Sequence, residues 1–122
     1  MRFLPIALDV RARLCLVAGG GSVGARKARS LHRAGAAVLV VAPEATEEIA
    51  RMAADGRIRW LPERYHSSHL DGVFLAVAAT DDGTVNALLA KEARQRRVLL
   101  CDASSAERSE VIFGAIHEDK GL

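Results

Sequence analysis

The sequence has few aromatic residues and only two cysteines, and each shortage excludes a class of protein. Aromatic side chains make up 4% of the 122 residues, too few for the stacking platforms with which many proteins bind single-stranded nucleic acid. Two cysteines, Cys15 and Cys101, cannot staple a small secreted domain. We interpret both as buried core thiols and expect a reducing, cytoplasmic compartment.

An excess of one charge and a long apolar run are missing as well. The 17 basic and 15 acidic side chains leave a net charge of +2, which is too small an excess of positive charge to indicate nucleic-acid binding. No apolar run approaches the roughly 18–20 residues that span a bilayer. Asp9, Arg11 and Arg13 interrupt any signal-peptide pattern at the N-terminus. We therefore predict neither a nucleic-acid partner nor a membrane partner.

Small apolar residues are plentiful and alternate between two kinds of pattern. The composition is 50% hydrophobic, and at this length about two-thirds of the unfolded surface can be buried in one core. Short apolar runs predict strands at 14–18, 38–41, 58–61, 73–78, 98–101 and 111–116. Helical spacing predicts helices at 23–34, 45–54 and 81–95, and the polar stretch 63–71 predicts a loop or an irregular turn.

This alternation predicts an α/β fold over residues 1–122, namely a doubly wound parallel sheet of the Rossmann type. In the strand order 3-2-1-4-5, the first and fifth strands lie on either side of the fourth. Cys15 and Cys101 would then be roughly 9–10 Å apart, which is beyond the reach of a disulfide.

A glycine-rich run follows the first strand and opens the first helix. It contains G-x-G-x-x-G at Gly19, Gly21 and Gly24, in the context that a dinucleotide-binding loop requires. These glycines would permit the tight turn, the approach of a pyrophosphate and close helix packing, respectively. The backbone N–H groups of Ser22 and Val23 would face the phosphates. The alternative is a glycine turn without a ligand.

The end of the second strand is where such a loop selects its cofactor, because a carboxylate there binds the ribose 2′-hydroxyl of NAD and repels the 2′-phosphate of NADP. Glu44 lies 20 residues after Gly24, and the nearest arginine downstream is Arg51. We therefore predict NAD. Glu44 could also serve as a favourable charge at the N-terminus of the following helix, and the two roles are compatible.

Two further polar segments are predicted at the carboxyl edge of the sheet, where open α/β sheets bind ligands. Ala79 and Thr80 follow the fourth strand, and Thr80 is either the N-cap of the next helix or a cofactor contact. The segment 102–110 follows the fifth strand and is either a solvated connection or the place of substrate-binding groups.

The remaining signals are weaker. The helix after the glycine run carries Arg26, Lys27, Arg29 and Arg33, which form either a solvated face or a surface that attracts an anionic ligand. His66 and His69 have the spacing of metal ligands, but the sequence offers no third ligand nearby. We therefore predict no metal site.

Taken in order, these segments resemble the N-terminal module of siroheme synthase, a precorrin-2 dehydrogenase that is often also a sirohydrochlorin ferrochelatase. Several separate segments in one order are more specific than a single glycine motif. The similarity covers essentially the whole chain, through residues 4–6, 14–17, 19–28, 40–44, 78–82, 85–86 and 111–116.

The resemblance implies a reaction in which precorrin-2 loses a hydride to NAD and a proton, giving sirohydrochlorin. In bifunctional relatives iron is then inserted. Positions similar to the family's cofactor contacts are Ser22, Val23, Pro43 and Glu44. Because the tetrapyrrole substrate carries many carboxylates, the resemblance also favours Arg26, Lys27 and Arg29 as substrate-binding residues.

The sequence departs from this family at two points. The family's usual catalytic aspartate is matched by Ser104, and Asp102 lies on the same side of an extended segment. We predict that Ser104 and Asp102 orient the substrate or relay the proton, while ferrochelatase activity stays open. The family also continues into a helical region that supports a homodimer. The chain alone is therefore expected to bind NAD but to turn over slowly.

Two other functions fit parts of the sequence. A nucleotide-sensing regulatory domain, of the kind attached to ion transporters, would share the fold and the glycine loop without catalysing a reaction. A non-catalytic remnant would fit the serine at the aspartate position. The segment 42–44 and the basic helix favour the dehydrogenase.

Overall fold

A computed structural model describes residues 2–114 of the chain. The strands are β1 (Leu14–Ala18), β2 (Ala37–Val41), β3 (Arg59–Leu61), β4 (Leu75–Ala78) and β5 (Leu99–Asp102). The helices are α1 (Ser22–Arg33), α2 (Glu47–Ala54) and α3 (Gly83–Gln95), with a short 3₁₀ turn at Ser67–Leu70. All strands pair in parallel in the order β3-β2-β1-β4-β5. The predicted fold class and strand order are confirmed.

Helices cover the sheet on both faces, which explains why the central strands are continuous apolar runs rather than alternating ones. On one face Val17 and Val40 belong to the same buried cluster as Ile49 of α2. On the other face Leu16 shares a buried cluster with Leu89 of α3. Within residues 2–114, no helix combines the length and apolarity needed to cross a membrane.

The chain changes direction beside β1. It runs outward from β1 through β2 to β3, and it then returns to add β4 and β5 on the other side. The loops after β1 and β4 consequently leave the sheet in opposite directions at its carboxyl edge. In open parallel sheets a ligand crevice forms at this point.

The predicted sixth strand is wrong in its described part. Residues 111–114 form no strand, and positions 115 and 116 lie outside the described residues. The N–H groups of Glu110 and Val111 both donate to the carbonyl of Leu100, at 2.9 and 3.0 Å. Both bonds go to the same carbonyl, so they do not form the repeating ladder of a paired strand. The apolar pattern of this segment reflects packing, since Val111 and Phe113 lie against the core.

Both cysteines are free and buried, as predicted. Cys15 lies on β1 and Cys101 on β5, with β4 between them. Burial raises the pKa of Cys15 to about 11 and also raises the pKa of Cys101. Both side chains are therefore protonated core thiols at neutral pH.

Adjacent leucines on α3 provide a test of this packing. Leu89 is fully buried, whereas Leu88 is 48% exposed. Leu89→Ala should lower the free energy of unfolding by about 2–5 kcal/mol because it leaves a cavity, and Leu88→Ala by less than about 1 kcal/mol. Urea unfolding followed by tryptophan fluorescence measures both. Equal losses would contradict the assigned face of α3.

Candidate functional site

A groove of about 900 Å³ opens at the carboxyl edge of the sheet. The loops that follow β1, β2 and β4 form most of its wall. The residues that line it are 19–23, 41–46, 64, 65, 79–82 and 85. Every predicted cofactor residue therefore lines the groove except Gly24.

The three glycines of the pattern meet different surroundings. A Cβ on Gly19, which has φ +137°, would overlap the carbonyl oxygen of Ala79, and a Cβ on Gly24 would overlap the carbonyl oxygen of Gly19. These two positions require glycine for the fold itself. A Cβ on Gly21 would meet no atom within 4 Å. Gly21 therefore leaves open space against the backbone, as the approach of a pyrophosphate requires.

Gly20 was missed because the pattern G-x-G-x-x-G accepts any residue at its second position. A Cβ on Gly20 would overlap the carbonyl oxygen of Glu44. The carbonyl of Gly20 also accepts a hydrogen bond of 2.8 Å from the N–H of Thr46. Gly20 thus joins the glycine loop to the turn before α2, and the run of three consecutive glycines was the available signal.

The N-terminus of α1 is open toward the groove. Its N-cap is Gly21, and within the described part of the chain no side chain caps it and no acidic residue lies in its first turn. The first N–H groups of a helix have no partner inside the helix. Those of Ser22 and Val23, together with the helix dipole, suit a phosphate. The donors available here therefore fit the pyrophosphate of a dinucleotide.

Glu44 follows β2 and is exposed on the wall of the groove, beside Pro43. The N-cap of α2 is Thr46, whose Oγ1 accepts from the N–H of Ile49 at 3.3 Å. The acidic residues in the first turn of α2 are Glu47 and Glu48. The helix thus has its own cap and favourable charges, and the Glu44 carboxylate is left facing the groove.

Thr80 is not the N-cap of α3, so that alternative is wrong. Asp82 is the N-cap, because its Oδ1 accepts from the N–H of Thr84 at 2.9 Å. An N-cap at Thr80 would start the helix at position 81, whereas α3 starts two residues later, at Gly83. Thr80 instead lines the groove, as its other interpretation required.

Asn86 holds Thr80 in place and was missed as a site residue. Its Oδ1 accepts from the N–H of Thr80 at 3.1 Å and lies 2.7 Å from Thr80 Oγ1. Its Nδ2 donates to the Thr80 carbonyl at 3.0 Å. Asn86 is 2% exposed. It lies at helical spacing from the buried Leu89, Ala90 and Ala93, and a polar residue on this apolar face was the signal that could have identified it.

The loop after β3 brings two unpredicted residues to the groove, Arg64 and Tyr65. The Tyr65 hydroxyl donates to Glu92 Oε1 at 2.8 Å. Burial and this hydrogen bond hold the pKa of Tyr65 above its usual value. Arg64 is exposed and places a cation in the same groove as Glu44, although the two residues are far apart along the chain.

Asp102 and Ser104 form a separate polar cluster at the end of β5, and neither lines the groove. Asp102 Oδ1 accepts from the Ser104 N–H at 2.9 Å and lies 2.6 Å from Ser104 Oγ. Asp102 Oδ2 accepts from Arg108 Nε at 2.7 Å. Burial alone would raise the pKa of Asp102, but these bonds outweigh it and hold the pKa below its usual value.

The segment after β5 is folded back by two other residues. Ser109 is 1% exposed, and its Oγ accepts from the Asp102 N–H at 2.8 Å. The Arg2 guanidinium donates to the carbonyls of Ala106, Glu107 and Ser109, at 2.7–3.2 Å. The segment is therefore a fastened turn rather than an extended connection.

The three predicted substrate-binding cations do not line the groove. Arg29 Nη1 lies 2.6 Å from Glu48 Oε2, so its charge is paired with α2. Lys27 Nζ lies 4.5 Å from the ring centre of Phe113. Arg26 is exposed.

The two histidines act together in the 3₁₀ turn. The N–H of Ser68 donates to His66 Nδ1 at 3.1 Å, and the N–H of His66 donates to His69 Nδ1 at 2.9 Å. His69 Nε2 lies 2.6 Å from Glu63 Oε1. Among residues 2–114, no three histidine, cysteine or acidic side chains are grouped to hold a metal ion.

The fold, the glycine loop and the open helix N-terminus define a dinucleotide-binding domain of the Rossmann type. A family profile described as putative NAD(P)-binding matches residues 6–115. The chain belongs to this NAD(P)-binding family.

Comparison with individual proteins confirms the resemblance stated from the sequence. Siroheme synthase of Chromobacterium violaceum is 48% identical over 116 residues, and that of Photobacterium profundum is 43% identical. Each match covers 95% of this chain and 25% of the relative. The structure of SirC, precorrin-2 dehydrogenase, superposes with a TM-score of 0.82 at 32% identity, over 93% of this chain and 55% of the other. The chain thus spans about a quarter of the siroheme synthases that it matches.

Two glycine substitutions should separate folding from cofactor binding. Gly24→Ala should destabilise the protein by about 1–3 kcal/mol, since its Cβ would overlap backbone. Gly21→Ala should leave the free energy of unfolding within about 0.5 kcal/mol but weaken NADH binding by about tenfold, because the methyl group fills the space of the pyrophosphate. Urea unfolding and NADH fluorescence titration measure the two effects. A Gly21→Ala protein that binds NADH normally would show that this space is not the cofactor site.

The Asp102–Arg108 pair should make stability depend on pH. A carboxyl whose pKa is lowered by folding stabilises above its unfolded pKa of about 3.9, and this contribution is lost as the pH falls through the folded pKa. Asp102→Asn should therefore cost about 2 kcal/mol at pH 7, a value reduced because Arg108 is 39% exposed. The difference from wild type should shrink below pH 4.

The matched control is Asp55→Asn, which removes an exposed aspartate paired with Arg57. Its cost should stay below about 1 kcal/mol at every pH. Urea unfolding at pH 7, at pH 4 and at about pH 3 measures both variants, and an Asp102→Asn difference that stays constant down to the lowest pH would rule out the assigned pairing.

Proposed function

We propose that this domain binds NAD and carries out the NAD-dependent dehydrogenation of precorrin-2 to sirohydrochlorin. The observation that carries this proposal is the juxtaposition of the dinucleotide groove with the Asp102–Ser104 cluster. Ala78 of β4 pairs with Asp102 of β5, and Ala79 and Thr80 line the groove next to this pair. The 32% identity to a precorrin-2 dehydrogenase along nearly the whole chain supports the same reaction.

The cofactor is held along the groove by groups of different kinds. The N–H groups of Ser22 and Val23 would hold its pyrophosphate over the space that Gly21 leaves open. The Glu44 carboxylate would accept hydrogen bonds from the adenosine ribose, which would favour NAD over NADP. Thr80, fixed by Asn86, would contact the cofactor from the turn after β4. When bound, NAD supplies the acceptor for the hydride that leaves the substrate.

Ser104 is the proton-handling group in this proposal. Ser104 is exposed at the carboxyl edge, and its Oγ lies 2.6 Å from Asp102 Oδ1. Because Asp102 is ionised, the Ser104 hydroxyl donates to it. One lone pair of Oγ accepts from Arg108 Nη2 at 3.3 Å, and the second is left for the substrate. The proton lost from precorrin-2 passes to Ser104 Oγ while the serine proton moves to Asp102. Asp102 is buried and acts through Ser104 rather than on the substrate.

The reaction balances without a further reactant. Precorrin-2 loses one hydride and one proton, the hydride reduces NAD to NADH, and the proton is released to solvent through Ser104. Iron insertion forms no part of the proposal. A homodimer stays an expectation that the resemblance supports, and sedimentation velocity would distinguish monomer from dimer. A cytoplasmic location stays an expectation that the two free, buried cysteines support.

Turnover of precorrin-2 is the direct test. With NAD, the 122-residue chain should convert precorrin-2 to sirohydrochlorin, and the rate with NADP should be lower. Ser104→Ala should reduce kcat about 100-fold, because the acid–base group is lost. Stopped-flow absorbance at the bands of sirohydrochlorin and NADH measures the rate.

A serine on α1 provides the matched control. Ser30→Ala lies within α1, outside the groove lining, and should keep the wild-type rate. If the wild-type chain binds NADH but leaves precorrin-2 unchanged, the domain is a nucleotide sensor and the proposed activity is wrong. If Ser104→Ala keeps full activity, Ser104 is not the proton-handling group.

A further inference from the structure

The Arg108 guanidinium is only partly used by the protein. Nε donates to Asp102 Oδ2 at 2.7 Å, and Nη2 donates to Ser104 Oγ at 3.3 Å. A guanidinium has five N–H donors, so three donors are left over. Among the described residues, none accepts from Nη1.

The geometry of the guanidinium determines which edge is left. Nε and Nη2 share one side of the planar group, and this side faces Asp102 and Ser104. The opposite end, formed by Nη1 and the outer hydrogen of Nη2, is the edge that pairs with a carboxylate through two parallel hydrogen bonds. The Arg108 side chain is 39% exposed, whereas its partner Asp102 is 0% exposed.

Arg108 is also held firmly enough to recognise a ligand. Ser109, which follows it, is buried and bonded to the backbone of Asp102. Arg2 fastens the preceding carbonyls of Ala106 and Glu107. The guanidinium therefore needs little further ordering when it binds, and this lowers the entropic cost of recognition.

We propose that Arg108 is a substrate-binding residue, which anchors a carboxylate of the tetrapyrrole through the free edge of its guanidinium while its other edge fixes Asp102 and Ser104. This inference rests on the proposed function, since it needs a polycarboxylate substrate beside Ser104. One residue would thereby couple the position of the substrate to the position of the proton-handling hydroxyl.

The other cations near the site are less suited to this role. Arg29 is paired with Glu48, and Lys27 lies over the ring of Phe113. Arg64 belongs to the cofactor groove, on the side of Glu44. Arg108 is thus the cation that directly contacts the Asp102–Ser104 cluster.

The test compares Arg108→Lys with wild type in the 122-residue chain. Lysine keeps the positive charge beside Asp102 but lacks the planar fork. The KM for precorrin-2 should rise about tenfold with kcat changed less than about threefold, because a binding contact is lost. The dissociation constant of uroporphyrin, an octacarboxylate porphyrin, should rise about tenfold by fluorescence polarisation, and that of NADH should stay within about twofold.

Arg57→Gln is the matched control, since Arg57 is likewise an arginine paired with an aspartate close in sequence. It should change none of these values. Far-ultraviolet circular dichroism at the assay temperature checks that Arg108→Lys is folded, independently of NADH binding. If it is unfolded, the double variant Arg108→Gln with Asp102→Asn, which leaves no unpaired buried charge, takes its place with the same expected rise in the uroporphyrin constant.

Three results would overturn the inference, and they differ from one another. A lower kcat with unchanged KM and unchanged uroporphyrin binding would make Arg108 a positioning residue only. Weaker NADH binding in a folded variant would place Arg108 at a cofactor phosphate. If the wild-type protein neither binds uroporphyrin nor turns over precorrin-2, both the proposed function and this inference are wrong. If the wild-type protein turns over precorrin-2 but the Arg108 variants give one of the first two results, only this inference is wrong.

Discussion

The structure depends on a close backbone contact among three turns at the carboxyl edge of the sheet. Because Gly19 and Gly20 have no side chains, the glycine loop lies directly against two other turns. Gly19 contacts the turn after β4, and Gly20 contacts the turn after β2. Hydrogen bonds fix both contacts, from Gly19 N–H to the carbonyl of Val41 and from Ala79 N–H to the carbonyl of Ala18. Any Cβ at these positions would separate the turns, so the groove between them exists only because the glycines are there.

This contact divides the edge into two parts with different chemistry. Toward β2, the groove offers the N–H groups of the glycine loop, the exposed carboxylate of Glu44 and the cation of Arg64. Toward β5, Asp102 is buried and fully bonded, and the polar groups meet solvent through Ser104 and Arg108. Asn86 lies between the two parts and holds Thr80 on the groove side. A cofactor and a second ligand can therefore bind next to each other without competing for the same donors.

The strands and the glycine loop could be predicted because each is recorded locally, in continuous apolar runs and in the spacing of Gly19, Gly21 and Gly24. The strand order followed from the right-handed crossovers that such an alternation of strands and helices requires. The segment 102–110 could be predicted as a place for substrate-binding groups, but the individual contacts of Arg64 and Arg108 could not, since folded loops create their surroundings. The predicted strand near Val111 failed for a related reason. Burial against a core and pairing in a sheet leave the same apolar pattern, and only the hydrogen bonds to Leu100 distinguish them.

Burial also decides what two carboxylates at the same edge can do. Glu44 is exposed and follows β2, so its oxygens are free to accept hydrogen bonds from a ligand. Asp102 ends β5 with a side chain that is 0% exposed, and both of its oxygens already accept from Ser104 and Arg108. A ligand can therefore sense Asp102 only through these two neighbours. The net charge of +2 does not describe such a site, because Arg29 and Lys27 lie against Glu48 and Phe113, whereas the charge at the edge depends on individual contacts such as that of Asp102 with Arg108.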